Sequence, residues 1–292
     1  MGRATPRTKL RALISGPHLI VAPGVWDPYT ARVAESLGYE SVTFGGYNFG
    51  AHLVTGEALV TLTEVATLCR YVTAAVEIPA LVDAGAGFGE PVHVMRTVRE
   101  LEQAGAASIH IEDQIYPTRV HYHKGVEHII PRQDMVDKIK AAIAARRDPE
   151  LVIVGRTDAM RTHGFAEAVD RANLYLEAGA EMIMIYPSTV EEARQAPHEI
   201  KGPLWYTNSE GNVLRRPIFS VKELEDIGYK VVSYSAMLIC AVTQAMKNVL
   251  IHLKTHGMSG LQGEDMIRWR KEVEDIIGLE EKYKIERETV ER

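Results

Sequence analysis

Short apolar runs recur along this chain, and between them lie longer stretches in which apolar residues return every three or four positions. Runs of the first kind mark buried strands, and stretches of the second kind mark amphipathic helices. Residues 19–22 (LIVA) form the first run, closed by Pro23-Gly24, and Asp27-Pro28 then opens a helix reaching Gly38. A strand at 41–44 follows, then a long amphipathic segment at 59–76, then a strand at 79–82 running into Asp83. Residues 90–105 read as a helix with Val92, Met95, Val98 and Leu101 on its apolar face. It leads into 108–114 (SIHIEDQ), where Ile109 and Ile111 alternate with His110 and Glu112 at the period of a strand. Beyond a long polar connection come a helix at 132–147, a strand at 151–154, a helix at 165–179 and a strand at 182–185. The pattern ends with a helix-like 190–195, a strand at 203–206, a helix at 221–228 and a strand at 230–234.

Strands alternating with helices imply parallel pairing. Eight such units in about 250 residues predict an α/β protein, a closed (β/α)8 TIM barrel. An open doubly wound sheet is the alternative, but it usually carries a glycine-rich phosphate loop after its first strand, and Pro23-Gly24-Val25-Trp26 is not one. No repeat or linker divides the chain, so 1–292 reads as a single barrel domain with 236–292 as a C-terminal helical extension. That extension holds a long helix at 236–256 and another at 266–283 with Ile267, Val273, Ile276 and Ile277 among charged residues. Its apolar stripe needs cover, either from a neighbouring subunit in a homo-oligomer or from the floor of the same barrel.

In a parallel barrel the residues that follow the strands all meet at one mouth. Here they are Trp26 and Asp27, Gly45 and Gly46, Asp83, Glu112 with Asp113, Arg156 with Asp158, Tyr186, Asn208 with Glu210, and Ser235. Asp83 and Glu112 end successive strands, so their carboxylates can share a hard divalent cation such as Mg²⁺, or Mn²⁺ in its place. A purely structural role is the competing reading, with Asp113 capping a helix. Arg156 can clamp a substrate carboxylate through two parallel hydrogen bonds, unless Asp158 or Glu112 engages it internally. Gly45-Gly46 lets backbone amides approach an oxyanion, and Trp26, Tyr47, Asn208 and Glu210 complete the candidate substrate wall. The connection 115–131 is long enough to be a lid, and His121, Tyr122, His123 and Arg119 on it are candidates for proton transfer.

Composition narrows the partners. The 292 residues are 46% hydrophobic and carry a net charge of -6, which gives no electrostatic footprint for nucleic acid or an anionic membrane. No apolar run spans a bilayer, the N-terminus lacks a signal-peptide core, and two distant cysteines do not make a disulfide framework. A cytoplasmic protein acting on a small carboxylic acid is the expectation.

The segments VAPGVWDPYTARVAESLGYESV, LVDAGAGFGEP, AGAASIHIEDQIYP and VGRTDA resemble the isocitrate lyase and phosphoenolpyruvate mutase superfamily, most of all its short methylisocitrate lyase-like and dimethylmalate lyase-like members. The resemblance runs from about Leu10 to about Gly257. It implies a barrel with its last helix swapped between subunits, a homo-oligomer (dimer or tetramer), Mg²⁺, and C–C or P–C chemistry on small 2-oxo or 2-hydroxy acids through an enolate. By similarity Asp83 falls on the metal-ligating aspartate, Glu112 on a second metal-shell acid, Arg156 on the carboxylate-binding arginine and Gly46 on an amide donor. The chain also departs from the pattern. Asp83-Ala84-Gly85 lacks a second aspartate, and the loop after Gly46 looks about two residues short of its acid, with Glu57 the only one nearby. Tyr186 replaces a glutamate, and Val120 stands where the lid of the lyases carries a cysteine. The expected function is a Mg²⁺-dependent carbon–carbon lyase or decarboxylase working without that thiol. Phosphonate-bond or C–C hydrolysis in the same barrel, and a non-catalytic carboxylate-binding barrel, are the alternatives.

Overall fold

Every strand of the expected series is present, and every strand pair runs parallel. In this computed structural model, which describes residues 4–124 and 126–291, the strands are β1 (Ile20–Pro23), β2 (Val42–Phe44), β3 (Ala80–Asp83), β4 (Ser108–Glu112), β5 (Val152–Arg156), β6 (Met182–Ile185), β7 (Leu204–Asn208) and β8 (Val231–Tyr234). β1 pairs with β8, and a parallel bridge from Gly24 to Thr43 joins β1 to β2, so the ring closes as a barrel. The side chains of Tyr122 and His123 lie outside the described part of the structure.

The strands are buried on both faces, which is why they read as near-continuous apolar runs. Ile20, Ala22, Leu81, Val152, Val154, Met182, Met184, Trp205 and Val231 form one cluster inside the barrel. Their chain neighbours Val82, Ile109, Ile153, Ile183, Leu204 and Val232 belong to a second cluster, packed under the surrounding helices. Because side chains alternate along a strand, this parity fixes what arrives at the mouth. Counting forward from Leu81 and Val154, Asp83 and Arg156 point inward, and Glu112 does so opposite the outward Ile109 and Ile111. Asp113 and Asn208 point outward.

The helices around the ring are α2 (Pro28–Ser36), α3 (Gly46–His52), α4 (Leu62–Ala75), α5 (Pro91–Gln103), α6 (Arg132–Ala145), α7 (Ala159–His163), α8 (Phe165–Glu177), α9 (Val190–Glu199) and α10 (Val221–Ile227). In α5 the buried stripe is Val94, Thr97, Val98 and Leu101, whereas Val92, expected on that face, is 76% exposed. The sequence pattern did not announce α1 (Pro6–Ser15), which Thr5 caps by accepting from the Thr8 amide. Leu10, Leu13 and Ile14 of α1 join the interior cluster and close the N-terminal end of the barrel. Arg7 donates to the Ala106 carbonyl at 2.9 Å and pairs with Asp148 at 2.7 Å, while Arg11 pairs with Glu181 at 2.8 Å.

A second compact unit begins at Ile239. It contains most of α11 (Met237–His256), then α12 (Glu264–Ile276) and α13 (Leu279–Thr289). The single helix expected at 266–283 is two, because Gly278 takes the left-handed conformation at φ +68° and stops the first. None of the described helices is long and apolar enough to cross a membrane.

Candidate active site

Asp83, Glu112 and Arg156 converge on a cleft of about 500 Å³, part of it open to solvent, at the C-terminal ends of β2 to β5. Asp83 is the most heavily bonded of them. Its Oδ2 accepts from the Gly46 amide at 3.0 Å, and its Oδ1 accepts from the Gly85 amide at 2.8 Å and lies 3.2 Å from His110 Nε2. Burial opposes the charge of Asp83, but His110, the charge of Arg156 and the Gly85 amide outweigh it and hold the carboxyl well below the usual carboxylate range. His110 is itself buried one layer below, edge-on to Trp205, and its Nδ1 has no hydrogen-bond partner.

Glu112 lies 3.0 Å from Arg156 Nη1, and Arg156 also donates from Nε and Nη2 to both oxygens of Asp158 at 3.2 and 3.0 Å. The competing internal role foreseen for Arg156 is therefore real, and two acids fix its guanidinium at the edge of the cleft. Burial, against the pull of Arg156, raises the Glu112 carboxyl well above its ordinary value. Asp158 accepts in turn from Gln114 Nε2 at 2.7 Å. Asp113 is neither ligand nor helix cap. It points out of the barrel and accepts from Thr157 Oγ1, Tyr175 Oη and the Asp158 amide at 2.7 to 2.9 Å, tying the ends of β4 and β5 to α8.

The acid that the loop after β2 seemed to lack is supplied by Glu57. A Cβ placed on Gly46 would come within 2.9 Å of Glu57 Oε2 and 3.2 Å of Asp83 Oδ2, so the glycine is what lets the two carboxylates share this corner. Burial first, and the charge of Asp83 second, push the Glu57 carboxyl up to about 8. Gly46 does not offer its amide to a substrate, as the sequence suggested, because Asp83 takes it. Gly45 is the residue preceding α3.

Other expected site residues fall elsewhere. Asn208, facing outward, clamps Phe219 by donating to its carbonyl at 2.7 Å and accepting from its amide at 3.2 Å. Glu210, Arg119 and His121 are exposed, Tyr47 is 46% exposed, and Trp26 is buried; none of them lines the cleft. Tyr122 and His123 fall outside the described side chains. Instead Tyr116 and Thr118 bring the lid to the cleft, and Tyr116 stands edge-on to Phe88. Farther along the lid, Glu127 reaches Arg161 at 3.4 Å while its Oε2 is buried without a hydrogen-bond partner. Burial, with Asp158 adding to it, pushes the Glu127 carboxyl up to about 7.

Beyond Arg156 the mouth turns cationic and aromatic. The guanidinium carbons of Arg156 and Arg216 lie 4.7 and 4.4 Å from the centroid of the Tyr186 ring. Sequence reasoning placed Tyr186 at a strand end but missed Arg216, which sits in a loop with no periodicity to point at it.

The sequence pattern of the family described as phosphoenolpyruvate phosphomutase matches residues 10–254. The chain is 40% identical to a 2-methylisocitrate lyase of Aeropyrum pernix over 277 residues, covering 94% of this chain and 87% of the relative. It is 37% identical to a 2,3-dimethylmalate lyase of Eubacterium barkeri over 281 residues, covering 95% and 96%. A crystal structure of a 2,3-dimethylmalate lyase superposes with a TM-score of 0.87 at 28% identity, covering 98% of this chain and 99% of that one.

Proposed function

The chain belongs to the phosphoenolpyruvate phosphomutase family, and we propose that it is a divalent-metal-dependent lyase that cleaves a carbon–carbon bond of a small 2-oxo or 2-hydroxy acid. The observation that carries this reading is the polarity of the cleft, with Glu57, Asp83 and Glu112 on one side and Arg156 on the other. Its similarity to enzymes named lyases supports the same assignment.

The acid side fits a hard cation. Like-charge repulsion contributes to the raised proton affinity of both Glu57 and Glu112, and a positive ion between them and Asp83 relieves it. Among the described residues no three His, Cys, Asp or Glu groups form a ready cage. Mg²⁺ needs no such cage, since it keeps several waters and takes one or two carboxylates plus substrate oxygens. Asp83 and Glu112 would hold it, with Glu57 behind. When bound, the ion stabilises the negative charge that an enolate places on oxygen.

The chain's own groups do the rest. Arg156, fixed by Glu112 and Asp158, receives the substrate carboxylate at the edge of the cleft. His110 and the amides of Gly46 and Gly85 keep Asp83 ionised and aimed. Cys69 is not available for proton transfer at the cleft, because it is buried in α4 with its thiol pushed up to about 12. We assign the proton-bearing role on the lid to Tyr116, which lines the cleft where His121 does not. Exposed apolar side chains along α11 and α12, among them Leu250, Ile251, Ile267 and Trp269, support a homo-oligomer built through these helices. Sedimentation of the intact protein as a monomer removes that part of the reading. The cytoplasm is the compartment that fits two unpaired thiols.

Assaying oxo- and hydroxy-acids for cleavage, with and without Mg²⁺, tests the function directly. Metal-dependent release of a 2-oxo acid or of carbon dioxide is expected. Turnover unaffected by chelation, or no tested acid bound at all, overturns it.

A further inference from the structure

We infer that Arg216 sets the substrate class by binding a second carboxylate, so that the mouth selects dicarboxylic acids over their monocarboxylic counterparts. This rests on reading the mouth as an oxo- or hydroxy-acid site, and adds to that reading a specificity-determining residue.

The loop that carries Arg216 is built rather than loose. Asn208 clamps Phe219 at its far end, Tyr206 Oη donates to the Pro217 carbonyl at 2.6 Å, and the Arg216 amide donates to Asn212 Oδ1 at 3.3 Å. Arg215 is held at φ +52°, a left-handed conformation that a non-glycine residue keeps only where its surroundings enforce it. The result is a guanidinium seated on the Tyr186 ring, which Arg156 also contacts. Sharing one ring places the two guanidinium carbons within about 9 Å of each other, a span that a short diacid held at both ends can bridge.

The two arginines differ in their counter-charges. Arg156 has Glu112 and Asp158. Among the described residues no carboxylate lies within ion-pair distance of Arg216, and its Nε is buried without a hydrogen-bond partner. An acid at position 186 would neutralise it within the chain, whereas tyrosine offers the negative face of a ring and no charge. Buried donors in folded proteins are satisfied, so one that lacks an acceptor beside the ring that Arg156 of the cleft also contacts marks where a ligand's oxygen belongs. Guanidinium is also the group whose planar fork matches a carboxylate.

The test is calorimetric titration of the full chain, with Mg²⁺ present, using lactate and malate. These 2-hydroxy acids differ by one carboxylate. Malate should bind the unmodified protein more tightly by about tenfold or more, as expected for a charge-assisted pair. Arg216→Gln should abolish that preference while leaving lactate within about twofold. Arg216→Lys, which keeps the charge without the fork, should restore part of it, and thermal unfolding of both variants near the parent temperature shows that the loop is intact. Equal affinity for the two acids in the unmodified protein, or equal weakening of both by Arg216→Gln, overturns the role of Arg216 and leaves the site reading standing. If neither acid binds although Mg²⁺ does, the site reading falls, and the inference with it.

Discussion

On the side of the mouth formed by β2, β3 and β4 stand Glu57, Asp83 and Glu112, and on the side formed by β5, β6 and β7 stand Arg156, Tyr186 and Arg216. Both sides use the same device, inward or overhanging residues at the ends of parallel strands. They handle charge in opposite ways. Burial, and then crowding of like charges, make two of the acids take up protons more readily than usual, while Asp83, held down by His110, Arg156 and the Gly85 amide, does not. The cations are spaced by an aromatic ring, and only one of them has acids of its own. The acid side gathers three carboxylates, and on the other side Arg216 has no carboxylate within ion-pair distance among the described residues, which is the complementarity that a metal-bound diacid satisfies. A mouth neutralised entirely within the chain would have no electrostatic reason to bind one.

The largest effect should come from the acid side. Asp83→Asn is expected to lower kcat by roughly 10²–10³, the scale of losing a fixed electrostatic group at a reacting oxygen. It should also bring the Glu57 carboxyl down from about 8, because the charge of Asp83 is the second cause of that elevation. Carbon-detected NMR titration of Glu57 in the variant checks this, and an unmoved pKa breaks the account of mutual repulsion. Next, Tyr116→Phe should cost about a hundredfold in kcat with little change in substrate affinity if the lid hydroxyl carries the proton. Steady-state kinetics giving a normal kcat would move that role to water.

On the cationic side, Asn208→Ala should lower stability by about 1–3 kcal/mol, since it removes both buried bonds to the Phe219 backbone. Chemical denaturation measures it. A large loss of affinity for lactate without destabilisation would instead make Asn208 a substrate contact. Glu127 offers a subtler probe, because its carboxyl rises from 4.5 to about 7 when the lid is seated beside Arg161. The seated lid then binds more protons than the open one between those values, so its local stability should fall as pH rises through that window and be greatest below it. Hydrogen exchange of the lid amides should show stronger protection near pH 5 than above pH 7, and Glu127→Gln should flatten the difference. The smallest effect is expected for His121→Gln, which should change kcat less than about twofold because the side chain is exposed and away from the cleft.

How much of this was legible in the chain depended on whether periodicity carried it. The strands were, because eight apolar runs separated by helical stripes leave few ways to pair. Asp83, Glu112 and Arg156 were legible as strand-end residues, and counting parity along β7 from the buried Trp205 would have turned Asn208 outward. Helix α3 was not, because Gly46 and Gly50 weaken any local helical preference. Those glycines are there for close approach: a Cβ on Gly50 would meet the Thr55 carbonyl and the Glu57 amide at 2.8 Å. Glu57, Glu127 and Arg216 sit in loops, where tertiary contacts rather than local pattern decide what a side chain faces. Val92 shows the same limit inside a regular element, since a spacing of three drifts off a stripe that turns every 3.6 residues.

Helix α1 has a further consequence for traffic through the enzyme. With Leu10, Leu13 and Ile14 stoppering the N-terminal end and the interior filled by Trp205 and its neighbours, the described residues leave the barrel no back door. Entry and departure then share the cleft that Tyr116 lines, and cleavage yields two fragments to clear it. A lid segment over that cleft puts product release, beside bond cleavage, among the steps that can limit turnover.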